Sequence, residues 1–331
     1  MPIVLQESLR GLFYAPFYVA LAHGAYAEAG VEVRFVSAPR PDDAARGLFD
    51  GSVDVCWGGP MRVMETYKLV PTCDLVSFAE IVTRDPFLLV GRTPRPAFQL
   101  ADLLGLRIAT VGEVPTPWLC LQEDLRRAGI TPGRLNRIGD RTMAQNIAAL
   151  RAAEVDVVQL FEPFVSSLIA EGAAHVWYAA ATRGPTSYTT FYTRRGLLTT
   201  KREDLRRMVR AVHRTQLWVA GATAAQIADA IADYFPDVPA PIREAACARY
   251  QTAGIWSTTP VLPRQGYDRL LSSLVSGGFV AGTSFEIAVD NTLANEVIAE
   301  MQGGKATPGL DPGEAHSAIS LHTQATHMNP G

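Results

Sequence analysis

The sequence predicts an α/β fold in two lobes, each built from alternating strands and helices. Short apolar runs, loops and helix-period segments follow one another in the order that such sheets require. The same order starts again after residue 93, and a run rich in β-branched and aromatic residues at 187–193 brings the chain back. A chain of 331 residues, 48% hydrophobic, fits two such lobes better than one.

The opening of the chain is the clearest unit. Residues 3–5 are typical of a strand, residues 9–14 of a ligand-facing loop, and residues 15–29 of a helix. Pro16 suits the first turn of that helix, and Gly30 suits the position just past its end. A second strand then follows, so this unit predicts the first part of the first sheet.

The second unit ends in a glycine pair. Residues 53–57 alternate between apolar and polar side chains, as a strand does, and Pro60 starts a predicted helix. Gly58 and Gly59 free the backbone between them, so N–H groups at the helix start could hold an anion or a carbonyl group. The alternative is a tight strand-to-helix turn without a ligand.

The second lobe repeats this order. Residues 107–111 predict a strand, residues 112–117 a loop and residues 118–128 a helix, and a later strand is predicted at 155–160. The chain then returns through 187–193 and becomes mainly helical. Helices are predicted at 203–220, 222–234, 241–252 and 264–276.

The segment APFYVALAHGAYAEAGVEV at 15–33 resembles the opening of solute-binding proteins of the nitrate, sulfonate and taurine ABC-importer type. It is also similar to the opening of fungal thiamine-pyrimidine-precursor synthases, which share that fold. Further likeness lies in the G-x-V-D-V of 51–55, the segment 100–109, the E-P-F of 162–164 and the V-D-N of 289–291. The resemblance therefore covers roughly residues 3–300.

The resemblance implies a periplasmic-binding-protein-like fold of type II, with two α/β lobes joined by two crossing strands. Lobe 1 is then discontinuous and takes residues 1–88 and 192–302. Lobe 2 takes residues 93–187, and residues 303–331 form a C-terminal tail. The first crossing falls near 86–96.

The function that the resemblance implies is a non-catalytic solute-binding protein of an ABC importer. Its partners are then a small-molecule ligand and the importer's permease, and no cofactor is expected. The competing class is a cytoplasmic enzyme of the pyrimidine-precursor synthase type. Those synthases carry a run of cysteines, but the matching region 178–193 contains none; a desulfinase of this fold has a nucleophilic cysteine in its first loop, and residues 9–17 have none.

Composition and charge exclude other classes. A net charge of −3, a pI near 6.1 and the lack of a long basic run argue against nucleic acid as a partner. No stretch approaches the length of a membrane-spanning helix. The four cysteines have no C-x-x-C spacing and are expected to be buried thiols, and His316, His322 and His327 are too loosely spaced to predict a metal site.

The start of the sequence leaves the location open. Met1 leads directly into the first strand, without a basic region or an apolar signal segment. The resemblance implies a periplasmic protein whose signal has been removed. A cytoplasmic protein is the expectation if Met1 is the true start.

The candidate site consists of loops from both lobes, because a two-lobed binder closes around its solute. The ligand-binding candidates are Phe13, Tyr14, Trp57, Gly58, Gly59, Glu80, Arg84, Gly112, Glu113, Thr116, Glu162 and Tyr188.

The types of side chain in that set indicate the ligand. Aromatic faces with carboxylate acceptors suit an amino-pyrimidine or a similar nitrogen heterocycle, whereas a sulfonate, nitrate, taurine or aromatic acid would prefer donors. Two alternatives apply to the carboxylates. Glu113 and Glu162 could only cap the helices that they precede, and Glu80 could pair with Arg84 at the rim.

Overall fold

The structure is a computed structural model that describes residues 1–40, 43 and 45–303. The strands are β1 (Ile3–Glu7), β2 (Val33–Ser37), β3 (Val55–Gly58), β4 (Leu75–Val82), β5 (Leu88–Gly91), β6 (Arg107–Ala109), β7 (Asn136–Ile138), β8 (Val157–Leu160), β9 (His175–Ala179) and β10 (Thr189–Arg194). The α-helices are α1 (Ala15–Ala22), α2 (Ala25–Glu28), α3 (Arg46–Asp50), α4 (Pro60–Leu69), α5 (Thr116–Arg127), α6 (Met143–Arg151), α7 (Phe164–Ala170), α8 (Leu197–Thr200), α9 (Arg202–Gly221), α10 (Ala224–Ala230), α11 (Ala240–Ala253), α12 (Arg264–Ser276), α13 (Phe285–Ala288) and α14 (Thr292–Gly303).

The strands form two sheets of the same design. The first has the order β2-β1-β3-β10-β4 and the second the order β7-β6-β8-β5-β9. In each sheet the first three strands are parallel, and the fourth is antiparallel to both of its neighbours. The predicted fold class is confirmed: two α/β lobes carry the fold of the periplasmic binding proteins.

The antiparallel strand of each sheet directly follows a strand of the other sheet in the sequence. Residues 83–87 connect β4 to β5, and residues 180–188 connect β9 to β10. The first crossing, predicted near 86–96, therefore begins earlier than expected, because β5 at Leu88–Gly91 already belongs to the second sheet. The predicted return at 187–193 covers the end of the second connection and most of β10. We propose that the lobes divide close to the predicted boundaries, with these two connections as the hinge; Leu88 pairs within the second sheet.

The predicted helix at 15–29 is two helices. α1 ends at Ala22 and α2 begins at Ala25, because Gly24 takes a left-handed conformation with a φ of 66°. The apolar pattern runs through the break, so the sequence alone predicts a single helix.

Strand β9 was missed by the sequence analysis. Its residues alternate little in burial, and β9 forms the outer edge of the second sheet beside β5. The β-branched and aromatic content of VWY, bounded by small residues, was the available signal. The predicted C-terminal tail and its histidines lie outside the described residues from 304 onward.

The cysteine prediction is mostly confirmed. Cys56, Cys120 and Cys247 are buried free thiols, and Cys73 is half-buried. Burial raises the pKa of the Cys56 and Cys120 thiols to about 12, so these groups stay protonated at neutral pH.

Candidate functional site

A small cavity of about 60 Å³ lies between the two sheets, and we call it the inner cavity. It sits where β1, β3 and β8 end, which is where open α/β sheets bind ligands. The two connections between the sheets complete its wall. Its lining residues are Ser8, Leu9, Phe13, Tyr14, Gly58, Gly59, Met61, Arg62, Phe87, Val114, Thr116, Phe161, Tyr188 and Tyr192.

Aromatic rings from both sheets meet at this cavity. Phe161, just after β8, stands edge-on to Phe13 with the ring centroids 5.3 Å apart. The same ring stands edge-on to Phe87 in the first connection, also at 5.3 Å. Tyr188, in the second connection, lies 6.5 Å from Phe13. Residues distant in sequence therefore build one aromatic enclosure.

The polar groups of the inner cavity are mainly hydroxyls. The Tyr14 hydroxyl lies 3.4 Å from Ser8 Oγ, and burial raises the pKa of Tyr14 to about 12. The Tyr192 hydroxyl is buried beside the Cys56 thiol and has no hydrogen-bond partner of good geometry in the described part of the chain. The Tyr192 hydroxyl therefore retains the capacity to bind a ligand atom or a water molecule. Arg62, also in the lining, forms an ion pair with Glu65 on the same helix.

The glycine pair before α4 lies in a tightly packed place. A Cβ atom at Gly58 would lie 3.2 Å from Tyr192 Cε1 and 3.3 Å from Ser8 Oγ. Gly59 has an extended backbone and is the last residue before the helix. The absence of a side chain at Gly58 thus lets Ser8 and Tyr192 approach each other at the cavity.

A larger pocket of about 580 Å³ adjoins the inner cavity, and we call it the outer pocket. Leu9, Val114 and Phe161 line both spaces. Its volume lies in the range of small-molecule sites, roughly 300–1,000 Å³. The other residues that line it are Arg10, Gly11, Glu113, Met143, Pro163, Phe164, Ser167, Phe235, Asp237, Val238 and Pro239.

Some charged groups of the outer pocket already form hydrogen bonds within the protein. Glu113 Oε1 accepts a hydrogen bond of 2.7 Å from the backbone N–H of Met143, the first residue of α6. Arg10 donates to Glu7 at 2.7 Å and to the carbonyl oxygen of Tyr234 at 3.0 Å. Glu113 thus supports the start of a helix, as the capping alternative expected. That helix is α6, however, and not α5, which follows Glu113 in the chain.

The structure brings seven of the twelve predicted residues to these two spaces. Six of them line the inner cavity: Phe13, Tyr14, Gly58, Gly59, Thr116 and Tyr188. Glu113 lines the outer pocket. The remaining five, Trp57, Glu80, Arg84, Gly112 and Glu162, are placed elsewhere.

Trp57 and Gly112 serve the packing of the fold and do not line either space. Trp57 is fully buried and stacks between Phe17, at 4.4 Å, and Phe35, at 5.1 Å. A Cβ atom at Gly112 would lie 2.7 Å from the carbonyl oxygen of Arg141, so this glycine permits a close backbone approach. Strand period alone could not separate a ring that faces the cleft from one that faces the core.

Glu162 is fully buried, and its carboxylate accepts three hydrogen bonds. Its carboxylate accepts from Ser166 N at 2.8 Å, from Ser166 Oγ at 3.0 Å and from Arg249 Nε at 2.6 Å. These bonds support the start of α7 and connect α7 to α11. This agrees with the helix-capping alternative.

Glu80 and Arg84 are separated from both spaces. The Glu80 carboxyl group faces the hydroxyls of Ser187 and Thr83, and burial raises its pKa to about 8. Arg84 lines a third pocket beside α11. The predicted rim pair between Glu80 and Arg84 is therefore replaced by hydroxyl contacts at Glu80.

Several lining residues were not among the predicted site residues, for example Phe161, Phe87 and Tyr192. Phe161 directly follows a predicted strand at a loop expected to face the cleft, so its position was available as a signal. Phe87 and Tyr192 lie in the predicted crossings 86–96 and 187–193, where the sequence gives no indication of which side chains meet a cavity.

Neither a metal site nor a membrane-spanning helix is found among the described residues. No group of three or more histidine, cysteine, aspartate or glutamate side chains is arranged to hold a metal ion within 1–40, 43 and 45–303. No helix in that part of the chain is long and apolar enough to cross a membrane.

The two sheets and the two connections between them define the fold of the periplasmic binding proteins. The sequence profile of the family described as NMT1/THI5 like matches residues 13–222, and the chain belongs to that family. It is 24% identical over 302 residues to a protein of Bacillus subtilis (strain 168) described as "Putative binding protein YtlA", covering 90% of each chain.

Solved structures share the fold. One is the alkanesulfonate-binding protein SsuA from Xanthomonas axonopodis pv. citri bound to MOPS, with a TM-score of 0.67, 16% identity, and 88% and 98% of the two chains covered. Another is the periplasmic nitrate-binding protein NrtA from Synechocystis PCC 6803, with a TM-score of 0.66, 14% identity, and 92% and 89% covered. A DSZB mutant in complex with biphenyl-2-sulfinic acid has a TM-score of 0.67 at 14% identity, with 91% and 100% covered.

Proposed function

We propose that this protein is a non-catalytic solute-binding protein that captures a small molecule between its two sheets for an ABC importer. The observation that carries the proposal is the aromatic enclosure around Phe161, to which both sheets and both connections contribute. A ligand in the outer pocket, beside Phe161, contacts loops that follow strands of both sheets, which is how a closing binding protein retains its solute.

The family and the neighbours support this role. The chain belongs to the NMT1/THI5-like family, and its fold is shared with proteins that bind alkanesulfonates and nitrate. The role implies a periplasmic location and an ABC permease as partner. The curated relative YtlA, similar over 90% of both chains, is also described as a binding protein.

The chemistry of the inner cavity suits binding more than catalysis. Its lining offers ring faces, hydroxyls and the Arg62 guanidinium, which is neutralised by Glu65. The competing enzyme classes use a cysteine or a histidine as a reacting group. The lining residues of the inner cavity include neither.

The ligand that we propose is an amino-pyrimidine or a similar planar nitrogen heterocycle, seated in the outer pocket. The rings of Phe161, Phe164 and Phe235 supply apolar faces for stacking. Glu113 uses one oxygen for the N–H of Met143, so its second oxygen can accept a hydrogen bond from a ligand amino group. Hydroxyls of the inner cavity can then meet a substituent that projects past Leu9 and Val114.

The test is a thermal-shift screen followed by calorimetric titration, with pyrimidines, flavins, alkanesulfonates, taurine, nitrate and aromatic acids. A ligand that binds only the folded state at 100 times its dissociation constant stabilises by about 2.7 kcal/mol, which is a readable shift. We expect an amino-substituted heterocycle to stabilise the protein. Stabilisation by sulfonates or nitrate alone would contradict the heterocycle but keep the binding role, and no response to any member would contradict both.

One variant tests the position of the ligand. Glu113→Gln keeps the shape of the side chain but exchanges an acceptor for a donor, so heterocycle affinity should fall by about 1.5–3 kcal/mol. Unfolding free energy should change by no more than about 0.3–1 kcal/mol, because an amide oxygen can still accept from Met143. The matched control is Glu32→Gln at an exposed position. Equal affinities of the two variants would remove Glu113 from the site.

A further inference from the structure

A third pocket, of about 660 Å³, lies on the hinge side of the molecule, and we call it the hinge-side pocket. Its walls come from both connections between the sheets, from β5 and β9, and from one face of α11. The lining residues are Arg84, Leu88, Val176, Ala179, Ala181, Thr182, Ala245, Ala248, Arg249, Thr252 and Ala253.

Small residues on α11 create the space. Ala245, Ala248 and Thr252 lie three and four positions apart, so they share one face of the helix. A longer side chain at any of them would project toward β9 and the connections. The opposite wall is apolar at Leu88 and Val176.

The charge of the lining is positive. It contains the guanidinium groups of Arg84 and Arg249 and no carboxylate. Arg249 forms an ion pair with the buried carboxylate of Glu162 at 2.6 Å, and its side chain remains 30% exposed. Arg84 is half-buried and makes no ion pair with an acidic side chain within the described ranges 1–40, 43 and 45–303. One positive charge in this pocket therefore lacks a counter-ion from the described part of the protein.

We propose that the hinge-side pocket is a second ligand site, for a compact oxyanion such as a phosphate or a carboxylate group. Arg84 supplies a planar fork of donors that can hold two oxygens of one anion, and Arg249 adds a second positive charge. The Thr182 hydroxyl, on the other connection, can contribute a further hydrogen bond. An anion at this place contacts both segments that cross between the sheets.

Arg84 is the residue to change, because Arg249 also balances the buried Glu162. Inorganic phosphate and sulfate are titrated calorimetrically into the full chain, with sodium chloride at matched ionic strength as the reference. We expect saturable binding of phosphate or sulfate to the wild type. Arg84→Gln should weaken it by about tenfold or more, the scale of one charge-assisted hydrogen bond. Arg134→Gln, the same change at an exposed position of the other lobe, should leave it unaltered.

A second variant protects the test against a folding defect in Arg84→Gln. Ala248→Glu places a carboxylate inside the pocket on a helical position that is half-exposed, and it should also abolish anion binding. The proposal is overturned if the wild type responds to phosphate and sulfate only as it does to chloride. It is equally overturned if Ala248→Glu and a folded Arg84→Gln bind as the wild type does. Neither outcome depends on a ligand in the outer pocket, so the proposed function stands or falls separately.

Discussion

Among single residues, Glu80 is a buried acid whose carboxyl group faces two hydroxyls and has no ion-pair partner in the described part of the chain. Its side chain is 1% exposed, and the groups that face it are the Ser187 and Thr83 hydroxyls. Burial disfavours the carboxylate and raises the pKa to about 8, above the usual range of a glutamate. The folded protein therefore holds this proton more tightly than the unfolded chain does.

This shift predicts a pH dependence with a definite sign. Between about pH 4.5 and 8 the native state binds more protons at Glu80 than the unfolded state, so stability falls as pH rises. The slope from one group is at most about 1.4 kcal/mol per pH unit. Glu80→Gln should remove this slope and be more stable than the wild type near pH 8. Urea unfolding across pH 5–9 measures it.

The control for this prediction is Glu32→Gln, because Glu32 is exposed. That variant should keep the wild-type slope. If Glu80→Gln showed the same pH dependence as this control, the account of Glu80 as a protonated buried acid would be wrong.

At the scale of elements, the glycine break between α1 and α2 is the feature that the apolar pattern could not predict. Gly24 has a φ of 66° and Gly196 a φ of −58°, and a Cβ atom at either would meet nothing within 4 Å. Gly24→Ala should therefore cost about 1–2 kcal/mol, from the left-handed backbone alone. Gly196→Ala should be neutral or stabilise by up to about 1 kcal/mol. Chemical denaturation of both variants makes the comparison, and an equal effect at the two sites would contradict the backbone explanation.

Local pattern predicted most elements, because strand and helix periods act within a few residues. The start of α4 was predicted at Pro60, where the helix begins, because proline suits the first helical position. The composition of the site depends on contacts between residues that are far apart in sequence. Which face of β3 meets the cleft is decided by packing of Trp57 against Phe17 and Phe35, and such contacts join residues that the sequence keeps apart.

The roles of Glu113 and Glu162 are also decided by contacts between residues far apart in sequence. Glu162 is engaged by Arg249, which is 87 residues away, and Glu113 by Met143, 30 residues away. A sequence reading could state the capping alternative for both residues but could not choose between capping and ligand binding. Resemblance to a family supplied the fold as a whole, and geometry was needed to assign each acid.

At the scale of the whole molecule, a polar seam joins α5 to α12. Arg269 donates to Asp124 at 2.8 Å, and Ser276 donates to Glu123 at 2.8 Å. Asp124 also forms an ion pair with the buried Arg183 of the second connection. Helix α12 packs against α4 beside the first sheet, whereas α5 follows β6 of the second, so the seam connects the two halves next to the second connection.

The seam should hold the two lobes in the arrangement that the structure shows. Arg269→Gln weakens it while Arg183 still balances Asp124, so the fold should persist and the open population should grow. Ligand affinity in the cleft should then fall, because only the closed fraction binds fully. The radius of gyration from small-angle scattering without ligand should increase. Arg92→Gln, which removes an ion pair with Asp156, is the control. Unchanged scattering and affinity in Arg269→Gln would contradict this role for the seam.

The central claim is that one ligand is held by loops from both sheets. Hydrogen exchange measured by mass spectrometry, with and without a ligand that stabilises the protein, tests it most directly. We predict slower exchange at 8–14 and 58–62, after β1 and β3, together with 112–117 and 161–164, after β6 and β8. Protection confined to the loops of one sheet, or found only outside these four segments, would contradict the claim.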